Sequence, residues 1–522
     1  MKHFTVTFEP DGKQIAIHSG ATLLEAAGQA GIILNTTCGG VGTCKKCKVG
    51  IPADSSEVLA CQYRVHSDLT VTIYPESRFF EQKILKHGVD AKIDLRPDIF
   101  RNYAAPDSPQ KILGVAVDIG TTTIVAKLLD MAEAKTLATA AAINPQTRFG
   151  DDVISRITFG STDEGLAELQ KTVVDCLNDL IGELCSQAAI VPLDIYEICI
   201  VGNTTMNHIF LKLPIAQLGH APYQANSLEA HDLSPRSLGL NINPKGNVHT
   251  VENIAGFVGG DTVAVALATD IASAEELTLA VDIGTNGEIV LGTKDKLYAA
   301  SCAAGPALEG ARIKYGSRAV EGAIEAVVIS GGDIGLDVIG NVAPRSICGS
   351  GLIDAVAVML ELGIIDNTGR FAKPEGLPPA IAARLAEVEG QDTFILAAGE
   401  PGVIITQKDI RETQLAKAAI RAGIKLLQKK LGVEDEQIIH VYLAGAFGNY
   451  ISPANARRVG LLPDIPLERI QSIGNAAVVG AQMTLISNHS RKAAAELAKK
   501  IQYVEIAHEA DFQDVYADCI FF

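Results

Sequence analysis

The apolar positions of this chain change period several times, and each change predicts an element. Residues 2 to 9 and 12 to 18 alternate apolar and polar side chains on either side of Asp11-Gly12, the pattern of two short strands joined as a hairpin. Thr22 to Ala30 shifts to helical spacing, with Thr22 placed to cap the first turn and Glu25 three residues on. Leu69 to Tyr74 reads as another strand. Residues 77 to 111 carry Pro97, Pro106 and Pro109 with little periodicity beyond Glu81 to His87, so they read as a linker with at most one helix. From residue 112 onward buried strands and amphipathic helices alternate. Strands are predicted at Ile112 to Val117, Ile195 to Val201 and Ile438 to Leu443. Helices are predicted at Glu164 to Ala188, from Gly349 through Leu362, at Gln414 to Leu431 and, as the last packed helix, from Gly474-Asn475-Ala476-Ala477. An α/β class follows, with an α+β unit in front of it.

The strand from Ile112 delivers Asp118 into a tight bend, Gly120-Thr121-Thr122-Thr123. Gly120 lets backbone amides approach phosphoryl oxygens, the three threonines add hydroxyl donors, and Asp118 can hold Mg2+ or orient a nucleophile. One such bend is weak evidence, but the chain repeats it: Asp282-Ile283-Gly284-Thr285-Asn286-Gly287-Glu288 follows a second apolar strand in the same way. Two matched bends predict two homologous halves, residues 112–271 and 272–522.

Other glycine turns stand where strands end or helices begin, the places at which open α/β sheets bind ligands. Gly202-Asn203-Thr204-Thr205 is one; His208 beyond it reads better as a structural histidine than as a ligand. Gly259-Gly260-Asp261 puts a carboxylate at a helix start, as a Mg2+ or water ligand or as a cap. Gly305 in the run Ser301 to Gly310, the Gly349-Ser350-Gly351 turn, and Gly445-Ala446-Phe447-Gly448 complete the set, the last as a Gly-x-x-Gly turn able to lie flat against an adenine.

Cysteine usage adds a second chemistry. Of ten Cys, four fall between residues 38 and 61 as C-x(5)-C-x(2)-C-x(13)-C: Cys38, Cys44, Cys47 and Cys61, in a glycine-rich loop. Four thiolates can hold two irons while loop amides point at the sulfurs. Tetrahedral zinc is the alternative, but zinc ribbons usually carry two C-x-x-C knuckles and the first pair here is split. The other cysteines, including Cys302 and Cys348 in glycine-rich loops, read as small core residues.

The chain has 522 residues, 48% hydrophobic and 20% charged, enough for several packed domains. A net charge of −17 leaves no basic stripe for nucleic acid. No apolar run approaches a membrane span and the N-terminus lacks a signal-peptide pattern, so the expected location is cytoplasmic.

With these residues in view, three resemblances appear. Residues 1–76, with the CGGVGTCKKC loop and the LACQ ending, resemble a plant-type or adrenodoxin-like β-grasp 2Fe-2S ferredoxin, though the last cysteine spacing is shorter than in long-loop members. The ordered set DIGTTT, DIGTNGE and LAGAFG looks like the phosphate and adenosine motifs of the ASKHA superfamily of acetate and sugar kinases, heat-shock chaperone ATPases and actin, with its duplicated, ribonuclease H-like halves. More narrowly, NPQTRFGDDVISRI, VGNTTMNH, GPALEGA, ICGSGLIDA, TQKDIR and LAGAFGNY behind such a domain are similar to reductive activators of corrinoid proteins. That resemblance implies an ATP- and Mg2+-dependent transfer of one electron, through the 2Fe-2S cluster, to the Co(II) corrinoid of a partner protein in a methyltransferase or O-demethylase system. It also implies an upstream low-potential electron donor and allows a homodimer. A small-molecule kinase with a redox-sensing domain is the alternative, and a radical-dehydratase activator a third reading. No Asp-x-His-x-x-Gly corrinoid signature occurs, so the corrinoid is expected on the partner.

Overall fold

The computed structural model of the chain describes residues 2–32, 34, 36, 40–53, 55–74, 77–78, 112–399, 402–445 and 450–522. Cys38, Ala446, Phe447, Gly448 and the stretch 79–111, with the Glu81–His87 helix expected there, lie outside the described residues.

At the N-terminus, β1 (His3–Glu9), β2 (Lys13–His18), β3 (Lys48–Ile51), β4 (Ser56–Leu59) and β5 (Leu69–Ile73) form one sheet in the order β2-β1-β5-β3-β4. The hairpin is antiparallel and β1 pairs in parallel with β5. Period-two alternation turns Val6, Phe8 and Val71 inward onto Leu23, Ala26 and Ala27 of the helix Leu23–Gln29. That helix begins at the predicted capping box: the Thr22 hydroxyl accepts from the Glu25 amide and the Glu25 carboxylate accepts from the Thr22 amide. Ser77 and Arg78 still pack on this unit, through the Lys48 carbonyl and Asp11.

The first half of the remainder contains β6 (Leu113–Ile119), β7 (Thr123–Asp130), β8 (Lys135–Ile143), β9 (Ile195–Gly202), β10 (His231–Leu233) and β11 (Asn247–Thr250), in the order β10-β11-β9-β6-β7-β8. The second half contains β12 (Thr278–Ile283), β13 (Gly287–Gly292), β14 (Leu297–Cys302) and, further along, β21 (His440–Ala444), β22 (Ile470–Gly474) and β23 (Ile501–Tyr503), in the order β22-β21-β12-β13-β14-β23. Aligned on their leading strands, β11-β9-β6-β7-β8 and β22-β21-β12-β13-β14 have one topology. Three strands run antiparallel, and two more lie parallel beside the first. The duplication of the aspartate-glycine bend is a duplication of the fold.

Between β14 and β21 the second half adds two small sheets that the hydrophobic pattern alone did not single out. One is made of β15 (Ala323–Ser330), β16 (Asp333–Val338) and β17 (Ser346–Ile347), the other of β18 (Leu385–Val388), β19 (Gln391–Ala397) and β20 (Val403–Thr406). Two helix expectations need correction. The helix expected from Gln414 starts at Gln407, because Thr406 and Asp409 form a capping box ahead of a polar first turn. The helix Ala476–Ile486 is not the last, since Asn488–Lys500 and Phe512–Asp518 follow it.

Three apolar layers separate the sheets and helices. Leu113, Val115, Val117 and Ile119 of β6 pack outward on the helix Asp163–Ala188, while Leu279, Val281 and Ile283 of β12 pack outward on Gln407–Leu431. The alternate residues, Ala116 and Ala280, face a shared middle layer formed by the helices Gly260–Thr269 and Ala476–Ile486. Strand period two therefore turns Asp118 and Asp282, two residues beyond those alanines, to the inner side of both sheets, toward each other.

The N-terminal unit touches the second half. His3 pairs with the buried Asp337 of β16, His18 Nε2 lies 3.9 Å from the same carboxylate, and the Tyr450 hydroxyl donates to the Gln29 carbonyl at 3.4 Å.

Candidate functional site

Where the two inner faces meet, a cleft of about 400 Å³ opens. Its floor is acidic: Asp118, Asp261, Asp282 and Glu288 all line it. Each arrives by a different local rule. Asp118 and Asp282 end the leading strands, and Glu288 is the residue directly opposite Asp282 in the β12–β13 ladder. Asp261 sits in the first turn of the helix Gly260–Thr269, where its carboxylate accepts from the Thr262 amide at 2.6 Å; Gly259, not Asp261, is the N-cap.

Taking four carboxyl groups out of water raises their pKa values together. Burial pushes Asp282 up to about 8, and the charges of Asp118 and Asp261 add to the rise. Asp118 goes up to about 7, restrained by the amide that Asn475 donates at 2.8 Å. Burial carries Asp261 to about 6, and Glu288 well above the usual carboxylate range with the charges of Asp261 and Asp282 behind it. At neutral pH Asp261 is then mostly ionised and Asp282 mostly protonated, and a cation beside them would favour the ionised form of all four.

Above the floor stand donors. Gly120, Thr121, Thr122 and Thr123 line the cleft from the first half, and Gly284, Thr285 and Asn286 from the second. Asn203, the N-cap of the helix Thr204–Leu211, holds the Thr121 hydroxyl at 3.0 Å. Gly349, Ser350 and Gly445 line it farther along, with Cys348 and Tyr450. Three of the expected site glycines do not line it. A Cβ on Gly287 would come within 2.7 Å of Ile420 and one on Gly351 within 2.3 Å of the Ile324 carbonyl, so both are small for the sake of packing; Gly305 only opens the turn Pro306–Glu309. Ala446, Phe447 and Gly448 lie outside the described residues.

The pattern of motifs passed over Glu309, Arg318 and Asn475. Asn475 meets Asp118 from 357 residues away, which no local spacing announces. Arg318 is the single cation among the described cleft-lining residues. His208 is structural, as read: it is fully buried, its Nδ1 bonds the Thr204 carbonyl and its Nε2 accepts from the amides of Asn226 and Ser227, and burial lowers its pKa to about 4.

In the N-terminal unit the sulfurs of Cys47 and Cys61 lie 3.3 Å apart, beyond the length of a disulfide, and Cys44 is half-buried. The Gln62 side-chain amide reaches the Cys61 sulfur at 3.6 Å and the Gly40 carbonyl at 3.0 Å, fastening the loop to the last ligand position. Two thiols converging without a disulfide fit a pair that shares one metal, so the residues present suit a 2Fe-2S group. Cys38, the fourth thiolate of the set, is outside the described residues.

Fold and site together define a class: an ASKHA-type, two-lobed domain carried behind a 2Fe-2S ferredoxin-like domain. Residues 4–74 match the 2Fe-2S iron-sulfur cluster binding domain, 113–274 the RACo middle region, and 276–522 the C-terminal domain of RACo, the ASKHA domain. The corrinoid activation enzyme RamQ of Eubacterium limosum is 34% identical, over 97% of this chain and 96% of its own length. The reductase of a Co(II) methylated amine-specific corrinoid protein from Methanosarcina barkeri is 26% identical, over 77% of this chain and 76% of its own. A solved reductive activator for corrinoid, iron-sulfur protein superposes with a TM-score of 0.73 at 32% identity, covering 99% of this chain and 98% of that one. The chain belongs to the family of reductive activators of corrinoid proteins. Among its described residues, no helix is long and apolar enough to cross a membrane.

Proposed function

We propose that this chain uses ATP, bound with Mg2+ between its halves, to drive one electron onto the Co(II) corrinoid of a partner protein, returning it to Co(I). The observation that supports this most is the presence in one polypeptide of a convergent cysteine set and a two-lobed acidic cleft, along a chain whose whole length is similar to proteins named for corrinoid activation.

In this reading Cys38, Cys44, Cys47 and Cys61 hold the 2Fe-2S group, which, when bound, takes one electron from an upstream low-potential donor and gives it up to Co(II). Plant-type clusters sit near about −400 mV, and Co(I) formation demands a lower potential, so the step runs uphill. At about 59 mV per 1.4 kcal/mol for one electron, a few kcal/mol of nucleotide coupling shifts the balance by on the order of a hundred millivolts. Among the described residues no three acids are placed to ligate one metal directly, so Asp118 and Asp282, with Glu288 beside them, would hold Mg2+ through its water ligands, and Asp261 would orient the attacking water; carboxyl groups with pKa values near neutrality suit such acid–base work. The Thr121–Thr123 and Thr285-Asn286 donors take the phosphates, and Gly349, Ser350 and the Gly445–Gly448 turn take the nucleoside. Residues 1–76 act as the electron-transfer unit, 77–111 as its tether, and 112–271 with 272–522 as the nucleotide clamp. The setting is the cytoplasm, beside a methyltransferase or O-demethylase corrinoid protein.

The test mixes the holo-protein, a low-potential reductant and a Co(II) corrinoid protein, and follows the Co(I) absorption. ATP-dependent growth of that band is expected. Reduction that ignores ATP, or phosphoryl transfer to a small molecule with no reduction, overturns the reading, the second in favour of a kinase. Cys47→Ala should abolish the iron–sulfur absorption and leave nucleotide binding intact.

A further inference from the structure

One contact in the cleft has no place in the roles above. Thr122 belongs to the bend of the first half and Thr285 to the bend of the second, yet both hydroxyls donate to one carboxylate, that of Glu309. Thr122 Oγ1 lies 3.0 Å from Glu309 Oε2, Thr285 Oγ1 lies 2.6 Å from Glu309 Oε1, and the two hydroxyl oxygens are 3.1 Å apart. Each hydroxyl has a single proton. If both protons point at the carboxylate, neither threonine donates to the other, and the short distance between them is imposed by the acceptor they share.

Glu309 is set there by the fold. It ends the turn Pro306–Glu309, whose Ala307 and Leu308 are buried in the core of the second half. Gly310 then turns the chain at φ +84°, so close that a Cβ would meet the Ser317 carbonyl at 2.3 Å. The carboxylate is thereby aimed across the cleft at the first half.

A carboxylate taking protons from both phosphate-loop hydroxyls makes the bonds that two oxygens of a phosphate would make. It also carries the same sign of charge, so the two cannot share the site. We propose that Glu309 is a built-in stand-in for a nucleotide phosphate: it bridges the two halves while the cleft lacks nucleotide and is displaced when a phosphate takes its two donors. This rests on the nucleotide reading above and goes beyond it in assigning a positioning residue that opposes binding. Nucleotides whose phosphates reach Thr122 and Thr285 must break two charge-assisted bonds on entry, whereas adenosine need not.

The experiment titrates the intact holo-protein with ATP, ADP and adenosine, with Mg2+ and with chelator, in wild type, Glu309→Gln and Glu309→Asp. Gln keeps the shape but loses the charge and puts an NH2 donor where one of the two acceptor oxygens stood; Asp keeps the charge but falls short by one methylene. Both variants should bind ATP about tenfold more tightly, with adenosine affinity unchanged, and the nucleotide-free protein should melt lower than wild type. Equal or weaker ATP binding in both variants overturns the stand-in role. Weakening that appears only with Mg2+ also overturns it, making Glu309 a cation ligand. Wild type that binds no adenine nucleotide brings down the nucleotide reading itself, a result visible before any variant is made.

Discussion

The two halves of the clamp share a topology and differ in what they bring to the cleft. In the first half Asp118 faces Val125 across its strand pair and accepts a hydrogen bond from Asn475; in the second Asp282 faces Glu288. Burial raises both acids; the Asn475 amide restrains Asp118 at about 7, while the charges of Asp118 and Asp261 help carry Asp282 to about 8. The bends differ as well: four residues, 120 to 123, lie between the last paired residues Ile119 and Ile124, against three, 284 to 286, between Ile283 and Gly287. The first half thus presents three threonine hydroxyls with two acids, Asp118 and Asp261, and the second gathers three carboxylates, Asp282, Glu288 and Glu309. Duplication supplied the frame, and divergence supplied a donor side and an acid side.

The comparison breaks most sharply on the acids. Asp282→Asn and Glu288→Gln should each slow ATP hydrolysis by on the order of a thousandfold, about 4 kcal/mol of barrier. Val125→Thr, at the first-half counterpart of Glu288, should change it no more than about twofold. Steady-state phosphate release measures all three, and equal losses would make the halves equivalent.

Next in size is the response of the bends to a methyl group. On Gly120 a Cβ would stand 2.6 Å from the Thr123 carbonyl, whereas on Gly284 its nearest contact is an ordinary 3.6 Å. Gly120→Ala should cost about 1–3 kcal/mol in urea unfolding and Gly284→Ala under about 0.5 kcal/mol. Smaller again is Asn475→Ala, which removes the Asp118 donor and the cap of the helix Ala476–Ile486 together, for about 1–2 kcal/mol.

The smallest effect is on pH dependence. Asp118, Asp261 and Asp282 are raised in the folded protein, so the native state binds more protons than the unfolded chain between about pH 4 and 8. Stability from these groups is fully present below the unfolded value near 4 and is lost as pH rises through about 6 to 8. Without divalent cation the melting temperature should fall by ~2 °C between pH 5.5 and 8 on this account, and Mg2+ should restore more at pH 8 than at pH 5.5. A melting curve indifferent to Mg2+ at both pH values would deny the acids a shared cation.

Much of this was legible in the chain because its signals are local. Thr22 and Glu25 announce a capping box three residues apart, the aspartate-glycine bends repeat in near-identical words, and the cysteine loop carries its own spacing. The second half was read less fully. Its hairpin β15–β16 turns at Gly331-Gly332, a recognisable two-residue turn hidden among many glycines. The helix at Gln407 opens on a polar turn, so its apolar period begins only later. Asn475 and Glu309 matter through contacts made across the cleft, and Arg318 through its place in the cleft wall, which only the folded chain brings together.

The helices Gly260–Thr269 and Ala476–Ile486 cross so tightly in the middle layer that a Cβ on Gly480 would overlap the backbone of Ala264 at 2.2 to 2.5 Å. With main chain resting on main chain, there is no gap there to close and no side chain to yield. The two halves are therefore joined at this crossing by main chain alone, and any side chain at position 480 would have to force the helices apart.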